Sequence, residues 1–192
     1  MKSTIRTVCV ILGACLLVTA FAGLGIWQWN IHASSKRAQS YADTLRTLIP
    51  TPEGAVPEQR RDNTMPVLAV DGVDFVGILE MPRYGSVLPV GDAWGNSHKY
   101  PCRFAGSIYD GTLQIGATSQ AGQYDFYREI SVGDTVYFTD MEGNRFTYGV
   151  TDIRYESHAD QAAFGKKDAG LILFIKNVYA LEYIVIFCNA AS

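Results

Sequence analysis

The hydrophobic pattern divides the chain into three kinds of segment. Residues 8–29 read VCVILGACLLVTAFAGLGIWQW, an uncharged apolar run about as long as a bilayer-spanning helix, with Trp residues at its far end. The next segment, 31–65, begins with a helical pattern and continues as a Pro-rich, charged stretch. From residue 66 onward, short apolar runs alternate with Gly, Asn and Asp turns, a pattern that predicts β-strands.

The N-terminal run predicts an uncleaved transmembrane anchor over 1–30. The competing interpretation is a secretory signal peptide cleaved after Ala22, because Ala20-Phe21-Ala22 resembles a small-residue cleavage site. The apolar character continues past Ala22, which favours the anchor. Basic residues flank the run on both sides, so charge alone does not orient the span.

A helical stripe follows the anchor. Within SSKRAQSYADTLRTLI, small and apolar positions recur at the three- and four-residue spacing of one helical face. They are Ala38, Tyr41, Ala42, Leu45 and Leu48. Pro50 ends this helix, and the Pro-rich residues that follow predict an extended stalk, which completes the segment 31–65.

The segment 66–192 carries the signals of a β-rich domain. An Asp-Gly step at 110–111 and a Glu-Gly-Asn turn at 142–144 predict hairpins. The runs 171–175 and 182–187 are apolar at successive positions, which predicts central strands buried on both faces. YDFYREISVGD and HADQAAFGK predict only short helical turns. Seven or eight strands connected in this way predict a mostly antiparallel barrel or sandwich.

The composition fits one globular domain with an extra segment. The chain has 192 residues, 48% hydrophobic and 18% charged, with a net charge of −3, which is neither a disordered nor a nucleic-acid-binding composition. The three His are scattered, and the chain has no Gly-rich phosphate loop and no His/Cys metal spacing. We therefore expect no cofactor, no metal and no nucleic-acid partner.

Four Cys divide unevenly between the segments. Cys9 and Cys15 lie in the apolar run, which leaves Cys102 and Cys188 in the β-rich domain. These two thiols either form one bridge or pack separately as small hydrophobes, and both interpretations stay open.

The order of motifs in the β-rich domain resembles that of the sortases, the Gram-positive cell-surface cysteine transpeptidases. VGILEMPRYGSVLPV resembles the family's strand that ends in an Ile-Pro-type step and returns through Leu-Pro-Val. DGTLQIGATSQAGQYDFYREISVGDTVYFTDMEGNRFTYGVTDI resembles the stretch from the catalytic-His strand through the following hairpin, and LILFIKN and YIVIF resemble the last two strands. The resemblance covers 67–188 and is closest to class B/D-like single-pass sortases. It implies a closed eight-stranded β-barrel with short helices behind an N-terminal transmembrane helix, and an extracellular C-terminal domain.

The resemblance also locates the family's three catalytic positions. The family's Cys attacks the sorting-signal carbonyl, its His protonates the departing amine, and its Arg stabilises the oxyanion. Carried over, the His position falls on Thr118, the Cys position on Lys176 and the Arg position on Tyr183, with a shift of one residue near ALEY left open. All three reactive groups are therefore replaced. Neighbouring residues expected at a groove or partner surface are Ser119, Asn177, Val178 and Tyr179.

The replacements do not carry the same chemistry. An amine has an unperturbed pKa of about 10.4 and is largely protonated at neutral pH. If Lys176 attacked a carbonyl, it would leave an amide as stable as the original bond, so turnover would stop. A threonine cannot act as an acid near pH 7, and one tyrosine hydroxyl replaces a bidentate cation. We expect Lys176 to replace the nucleophile, and its side chain to lie exposed at a strand end or to contact a carboxylate-bearing partner.

Three functions compete. The first is a membrane-anchored, inactive sortase-like binding or scaffolding module for a surface protein, a pilin or an active sortase. The second is an active cysteine transpeptidase with displaced residues, such as a Cys188–His158 or Cys102–His98 pair. The third is a mechanical subunit of a larger membrane assembly. The carboxylates near the middle of the domain are expected to be solvated turn charges; they are Asp125, Glu129 and Asp134.

Overall fold

The computed structural model describes residues 2–50, 63–97, 99–119, 123–157, 169–177 and 182–191, with side chains for all of these except 2–11, 28, 30–32, 34, 96 and 125. One long helix precedes the strands, α1 (Lys2–Leu48). The strands are β1 (Leu68–Val70), β2 (Val73–Met81), β3 (Ser86–Gly91), β4 (Cys102–Ala105), β5 (Leu113–Thr118), β6 (Thr135–Asp140), β7 (Arg145–Glu156), β8 (Leu171–Asn177) and β9 (Glu182–Ala190). Short 3-10 helices cover Pro82–Tyr84, Trp94–Asn96 and Asp125–Arg128.

Eight of these strands form a closed barrel. The order around the ring is β2-β3-β4-β5-β8-β9-β7-β6, and pairing of β6 with β2 closes it, while β1 pairs with β2 outside the ring. The β3–β4 and β5–β8 pairs are parallel, and the remaining pairs are antiparallel. The predicted eight-stranded barrel with short helices is confirmed.

The chain divides into two compact units, Met1–Ala33 and Ser34–Ser192. Within the part of the chain whose side chains are described, no helix combines the length and the apolar character needed to cross a membrane. The domain limits 1–30, 31–65 and 66–192 stay predictions, and most of the stalk, 51–62, lies outside the described residues.

The C-terminal part of α1 packs against the barrel unit through an apolar stripe. Ala38, Ala42 and Leu45 are almost fully buried, as the helical spacing predicted, and Tyr41 is half-buried. Leu48 was predicted to share this face but is 56% exposed, and Ile49 takes its place. The reason is geometric: ten residues at 100° each carry Leu48 about 80° away from Ala38, whereas eleven residues bring Ile49 back to the stripe.

The barrel interior is one continuous apolar core, and β8 crosses its centre. Leu171, Leu173 and Ile175 pack in the interior, whereas Ile172 and Phe174 pack in a second cluster on the outer face. β9 alternates in the same way between the two clusters. The prediction that the two C-terminal runs are central strands buried on both faces is confirmed.

The predicted hairpins have different outcomes. β6 and β7 pair on either side of the Glu142–Asn144 turn, as predicted, and Asp140 accepts hydrogen bonds from the N–H groups of Glu142 and Asn144. The Asp110-Gly111 step lies in the loop of a β4–β5 hairpin, but its first arm is β4, several residues earlier than predicted. Within this loop, the N–H and the hydroxyl of Thr112 both donate hydrogen bonds to Asp110 Oδ1. The HADQAAFGK prediction lies outside the described residues.

Asp134 is not the solvated turn charge that the sequence suggested. Its side chain is 7% exposed and accepts hydrogen bonds from Arg83 Nη1 (2.7 Å), Tyr84 Oη (2.5 Å) and the Ser131 N–H (2.8 Å). Burial opposes the charge, but these donors outweigh it and lower the pKa of Asp134. The turn after β2 is therefore tied to the turn before β6. Glu129 is exposed, as predicted, and the side chain of Asp125 lies outside the described set.

Candidate functional site

The three positions that the resemblance matched to the sortase catalytic residues lie side by side on adjacent strands. Thr118 at the end of β5 pairs directly with Lys176 on β8, and Lys176 pairs directly with Tyr183 on β9. Neighbouring strands are about 4.8 Å apart, so the three Cα positions form one row about 10 Å long. We call this the Thr118–Lys176–Tyr183 row.

The row lies on the outer face of the barrel. Successive residues of a strand face opposite sides, and Ile175 belongs to the interior core, so Lys176 faces outward with Phe174. Lys176 is exposed, while Thr118 and Tyr183 are half-buried, and Tyr183 packs against the outer apolar cluster. Among the described residues, no ion pair engages the Lys176 amine. Its exposure agrees with one of the two environments expected for it.

Thr118 is held by a buried glutamine. The Thr118 N–H donates to Gln123 Oε1 at 2.8 Å, and its hydroxyl donates to the same oxygen at 2.9 Å. The neighbouring Ser119 N–H donates to the Lys176 carbonyl oxygen at 3.0 Å. The Thr118 hydroxyl proton is thus already committed to a protein acceptor. This arrangement positions the end of β5 and offers no acid to a departing amine.

An aromatic cluster covers the same outer face close to the row. The rings of Trp94, Phe104 and Phe174 lie 5.0–5.5 Å apart in tilted or edge-on contacts. Phe174 precedes Lys176 by two residues on β8, so both face outward. Gly116 lies beneath the cluster, because a Cβ there would come within 2.3 Å of Phe174 and 2.5 Å of Trp94. The face thus combines an apolar aromatic surface with a row of hydroxyl, amine and phenol groups.

Two of the four residues predicted as groove contacts, Ser119 and Asn177, are described and largely buried. Ser119 and Asn177 are each 9% exposed, and the Asn177 side-chain amide donates to Glu182 Oε1 at 3.4 Å. Both have polar partners and present little surface in this conformation. Val178 and Tyr179 lie outside the described residues.

The two domain thiols are separate and buried. Cys102 and Cys188 are free and fully buried, so the unbridged alternative is the one that the structure adopts. Burial raises the pKa of each thiol to about 12, which keeps both protonated at neutral pH. His98 and His158, their suggested partners, lie outside the described residues.

A cavity also lies on the described surface, away from the row. It measures about 610 Å³ and lies between the C-terminal part of α1, the turn after β2 and the segment after β5, with Gln123 in its lining. Thr118, Lys176 and Tyr183 are not among its lining residues. Over the described ranges, no three His, Cys, Asp or Glu side chains come together as a metal site.

Sequence reasoning missed Gln123 and the structural role of Asp134. Gln123 follows Thr118 by five residues in a polar loop, and nothing in the pattern marks it as buried. Asp134 follows a Gly in a turn, where a solvated carboxylate is the ordinary expectation. Two of the partners of Asp134, Arg83 and Tyr84, lie 51 and 50 residues earlier, which local patterns do not contain. The partner of Gln123 is Thr118, five residues earlier, but the pattern does not show that the loop folds back to bring them together.

Comparison with solved structures identifies the fold. No protein-family profile and no curated protein sequence matches the chain. Sortase A of Corynebacterium diphtheriae matches with a TM-score of 0.52 and 15% identity over 84% of each chain. The Clostridium perfringens sortase D5 transpeptidase matches with a TM-score of 0.52 and 12% identity, over 62% of this chain and 80% of its own. C. perfringens sortase C, solved with the C-terminal cell wall sorting motif, matches with a TM-score of 0.51 and 18% identity, over 62% of this chain and 71% of its own.

These matches show that the chain has a sortase-like fold. Their identities, 12–18%, are too low to carry activity across. The structures belong to several sortase classes, so a class B/D-like assignment stays a prediction.

Proposed function

We propose that this sortase-like chain binds peptide segments of cell-surface proteins at the Thr118–Lys176–Tyr183 row without cleaving them. In this role it is a binding or scaffolding module for a surface protein, a pilin or an active sortase. The observation that carries the proposal is the direct pairing of the three residues on one outer face. The row holds an amine, a hydroxyl and a phenol, and none of these supplies the thiolate, imidazole or guanidinium of transpeptidation.

The buried thiols support the same proposal over a displaced active site. A nucleophilic thiol needs to be a thiolate and to be reachable, whereas Cys102 and Cys188 are fully buried with raised pKa values. An acyl-enzyme on Cys188 would also require the barrel to open, and one on Cys102 would require the part of α1 that packs over it to move away.

A peptide is the ligand class that this face suits. Lys176 offers an exposed cation for a carboxylate or carbonyl, and the neighbouring aromatic cluster offers apolar surface for side chains. One solved neighbour, the C. perfringens sortase C, contains a C-terminal cell wall sorting motif. Peptides of that kind are therefore the first probe for this chain.

Residues 8–29 are proposed to anchor the chain in the cell membrane, with the barrel outside the cell. The support is the sequence of the run and the exposure of its described apolar side chains, which include Leu16, Phe21 and Trp29. Alkaline carbonate extraction of membranes tests this: an anchored chain stays in the pellet, and full release into the supernatant would contradict anchorage.

The test of the proposed function combines binding with turnover. The full chain in detergent micelles is titrated with a fluorescent sorting-motif peptide and then incubated with that peptide and an amine acceptor. We expect saturable binding without cleavage or ligation. Lys176→Ala should weaken binding severalfold, while Lys36→Ala, an exposed lysine on α1, should leave it unchanged.

Two further arms separate the competing functions. Lys176→Cys alone should show no turnover, because the acid and the oxyanion donor are still missing; ligation by that variant would contradict the assignment of the row. Turnover by the unmodified chain that Cys188→Ala abolishes would establish the displaced transpeptidase. If membrane crosslinking recovers only proteins without sorting signals and no sortase, the mechanical role replaces the binding role.

A further inference from the structure

A small pocket lies where the end of α1 meets the outer face of β2, β6 and β7. Ile78, Thr139 and Arg145 are directly paired on these three strands and line the pocket. Ile49 and Pro50, which follow the last residue of α1, line it as well. The pocket measures about 290 Å³. Its lining therefore comes from three neighbouring strands and from the end of the helix that packs on them.

The pocket brings two guanidinium groups to one carboxylate. Arg46 Nη2 lies 2.6 Å from Glu80 Oε1, and Arg145 Nη2 lies 2.9 Å from Glu80 Oε2. These three residues are the charged groups of the lining, so two cations and one anion leave a surplus of one positive charge. The carbonyl groups at the C-terminal end of α1 offset about half a charge at most, so the surplus stays positive.

Most donors of these two guanidinium groups are unused. In the described part of the chain, neither arginine has a side-chain hydrogen bond or ion pair except with Glu80. The guanidinium of Arg145 is also positioned over the Tyr137 ring, 3.9 Å from its centroid. Thr139 is only 5% exposed, and its hydroxyl has no hydrogen-bond partner among the described residues. The pocket therefore offers positioned donors to an acceptor that carries negative charge.

Charge and size define the ligand class. A carboxylate carries one negative charge and two oxygens that match the planar guanidinium fork. The volume lies at the lower limit of the range, about 300–1,000 Å³, that is usual for ligand sites, so the ligand is small. Pro50 is exposed and offers apolar surface that an inorganic anion does not use.

We propose that this pocket binds a small organic carboxylate, whose oxygens accept hydrogen bonds from Arg46 and Arg145 while its short apolar group lies against Pro50. A carboxylate bound there joins the end of α1 to β7, because Arg46 belongs to the helix and Arg145 to the strand. The site goes beyond the proposed peptide binding at the row, because its lining contains none of the row residues.

Matched variants test the charge balance. Arg145→Met removes one guanidinium and Arg46→Met the other, and both side chains are partly exposed, so neither change should unfold the barrel. Arg128→Met is the control, because Arg128 is also exposed and lies over a tyrosine ring, at 5.2 Å, but does not line the pocket. Glu80→Gln removes the competing carboxylate, which leaves a surplus of two positive charges and should strengthen binding.

The experiment titrates the full, uniformly ¹⁵N-labelled chain in uncharged detergent micelles with isovalerate at pH 7, at an ionic strength held constant with sodium chloride. The Nε–Hε signals of the two arginines are identified by their loss in Arg46→Met and Arg145→Met. We expect isovalerate to shift both signals saturably. Each of these two variants should raise Kd at least about fivefold, and Glu80→Gln should lower it at least about twofold. Arg128→Met and Lys176→Ala should leave Kd unchanged, and isovaleramide, the neutral isostere, should produce no shift.

Each other outcome overturns the proposal. No saturable shift, or an unchanged Kd in Arg46→Met and Arg145→Met, would mean that the pocket takes no carboxylate. An equal response to isovaleramide would show that charge does not decide binding, and inorganic phosphate that binds as tightly as isovalerate would identify a general anion site. A Kd that Arg128→Met raises equally would reduce the effect to overall charge. Binding that Glu80→Gln fails to strengthen would contradict the surplus charge as its cause.

Failure of this site and failure of the row are distinguishable. If isovalerate does not bind while the sorting-motif peptide still binds in a manner that Lys176→Ala weakens, only the carboxylate site is removed. If isovalerate binds as expected and the sorting-motif peptide does not bind, only the proposed function at the row is removed.

Discussion

At the scale of single residues, Asp134 forms a buried hydrogen-bond network whose main donors are distant in sequence. The Asp134 carboxylate accepts hydrogen bonds from Arg83 and Tyr84, some 50 residues earlier, and from the nearby Ser131 N–H. Burial, with the hydrogen bond to Asp134 adding to it, raises the pKa of Tyr84 to about 12, so the phenol stays a donor. Removing the carboxylate would leave these donors without a full set of acceptors.

We expect Asp134→Asn to lower the free energy of unfolding at pH 7 by about 1–3 kcal/mol, the usual cost of losing buried hydrogen-bond partners. Because the pKa of Asp134 is lowered by folding, its ionisation stabilises the fold above the unfolded pKa, near 3.8, and this contribution is lost as pH falls below that value. Urea unfolding of the detergent-solubilised chain should therefore show a large difference from wild type at pH 7 and a smaller one at pH 3. Glu129→Gln, at an exposed neighbour, is the control, and a difference that does not shrink in acid would contradict this account.

At the scale of elements, the C-terminal part of α1 is docked by its apolar face more than by its charges. The Glu80 carboxylate forms ion pairs with Arg46 (2.6 Å) and Arg145 (2.9 Å). Both arginines are partly exposed, and such pairs contribute little to the free energy of unfolding. Leu45 is fully buried against the barrel. The helical stripe, not the ion pairs, should decide the stability of this contact.

Two leucines on the same helix test this directly. Leu45→Ala should destabilise the barrel unit by about 2–5 kcal/mol, because it leaves a cavity in a packed interface. Leu48→Ala removes the same atoms from a side chain that is 56% exposed and should change stability by less than about 0.5 kcal/mol. Chemical denaturation measures both. Equal losses would show that Leu45 is not held as described.

At the scale of the whole molecule, the closed barrel and the part of α1 packed on it set the reactivity of the two thiols. The ring of eight strands encloses Cys188 in the interior core, and Cys102 lies beneath the outer cluster that α1 covers. With the pKa of each raised from 9.0 to about 12, the thiolate fraction at pH 8 is roughly a thousandfold lower than for an open thiol.

A Cys9→Ser/Cys15→Ser variant, which retains only these two thiols, should react negligibly with a chromogenic disulfide reagent at pH 8 while folded. Both thiols should react promptly in guanidinium chloride. A fast native reaction would mean that the barrel opens to expose Cys188 or that α1 moves away from Cys102, and it would revive the displaced transpeptidase.

How much the sequence predicted depends on the range of the interactions involved. Hairpins, strand ends and the buried stripe of α1 follow from periodicity and turn chemistry within a few residues, and these predictions were largely correct. Leu48 was misplaced because it follows Ala38 by ten residues, a spacing that falls outside the helical stripe. The first arm of the β4–β5 hairpin was misplaced because the long loop obscured the pairing.

The sequence by itself determined a β-rich domain of short strands with hairpin turns and the buried stripe of α1, because these are encoded in local pattern, and the order of its motifs carried the resemblance that implied the closed barrel. Only the tertiary structure decided that Thr118, Lys176 and Tyr183 are in direct register, that the two thiols stay apart and buried, that Asp134 is enclosed by donors, and that Gln123 is buried as the acceptor for Thr118. Each of these depends on which groups the folded chain brings together, and closure of the barrel and packing of α1 decide that.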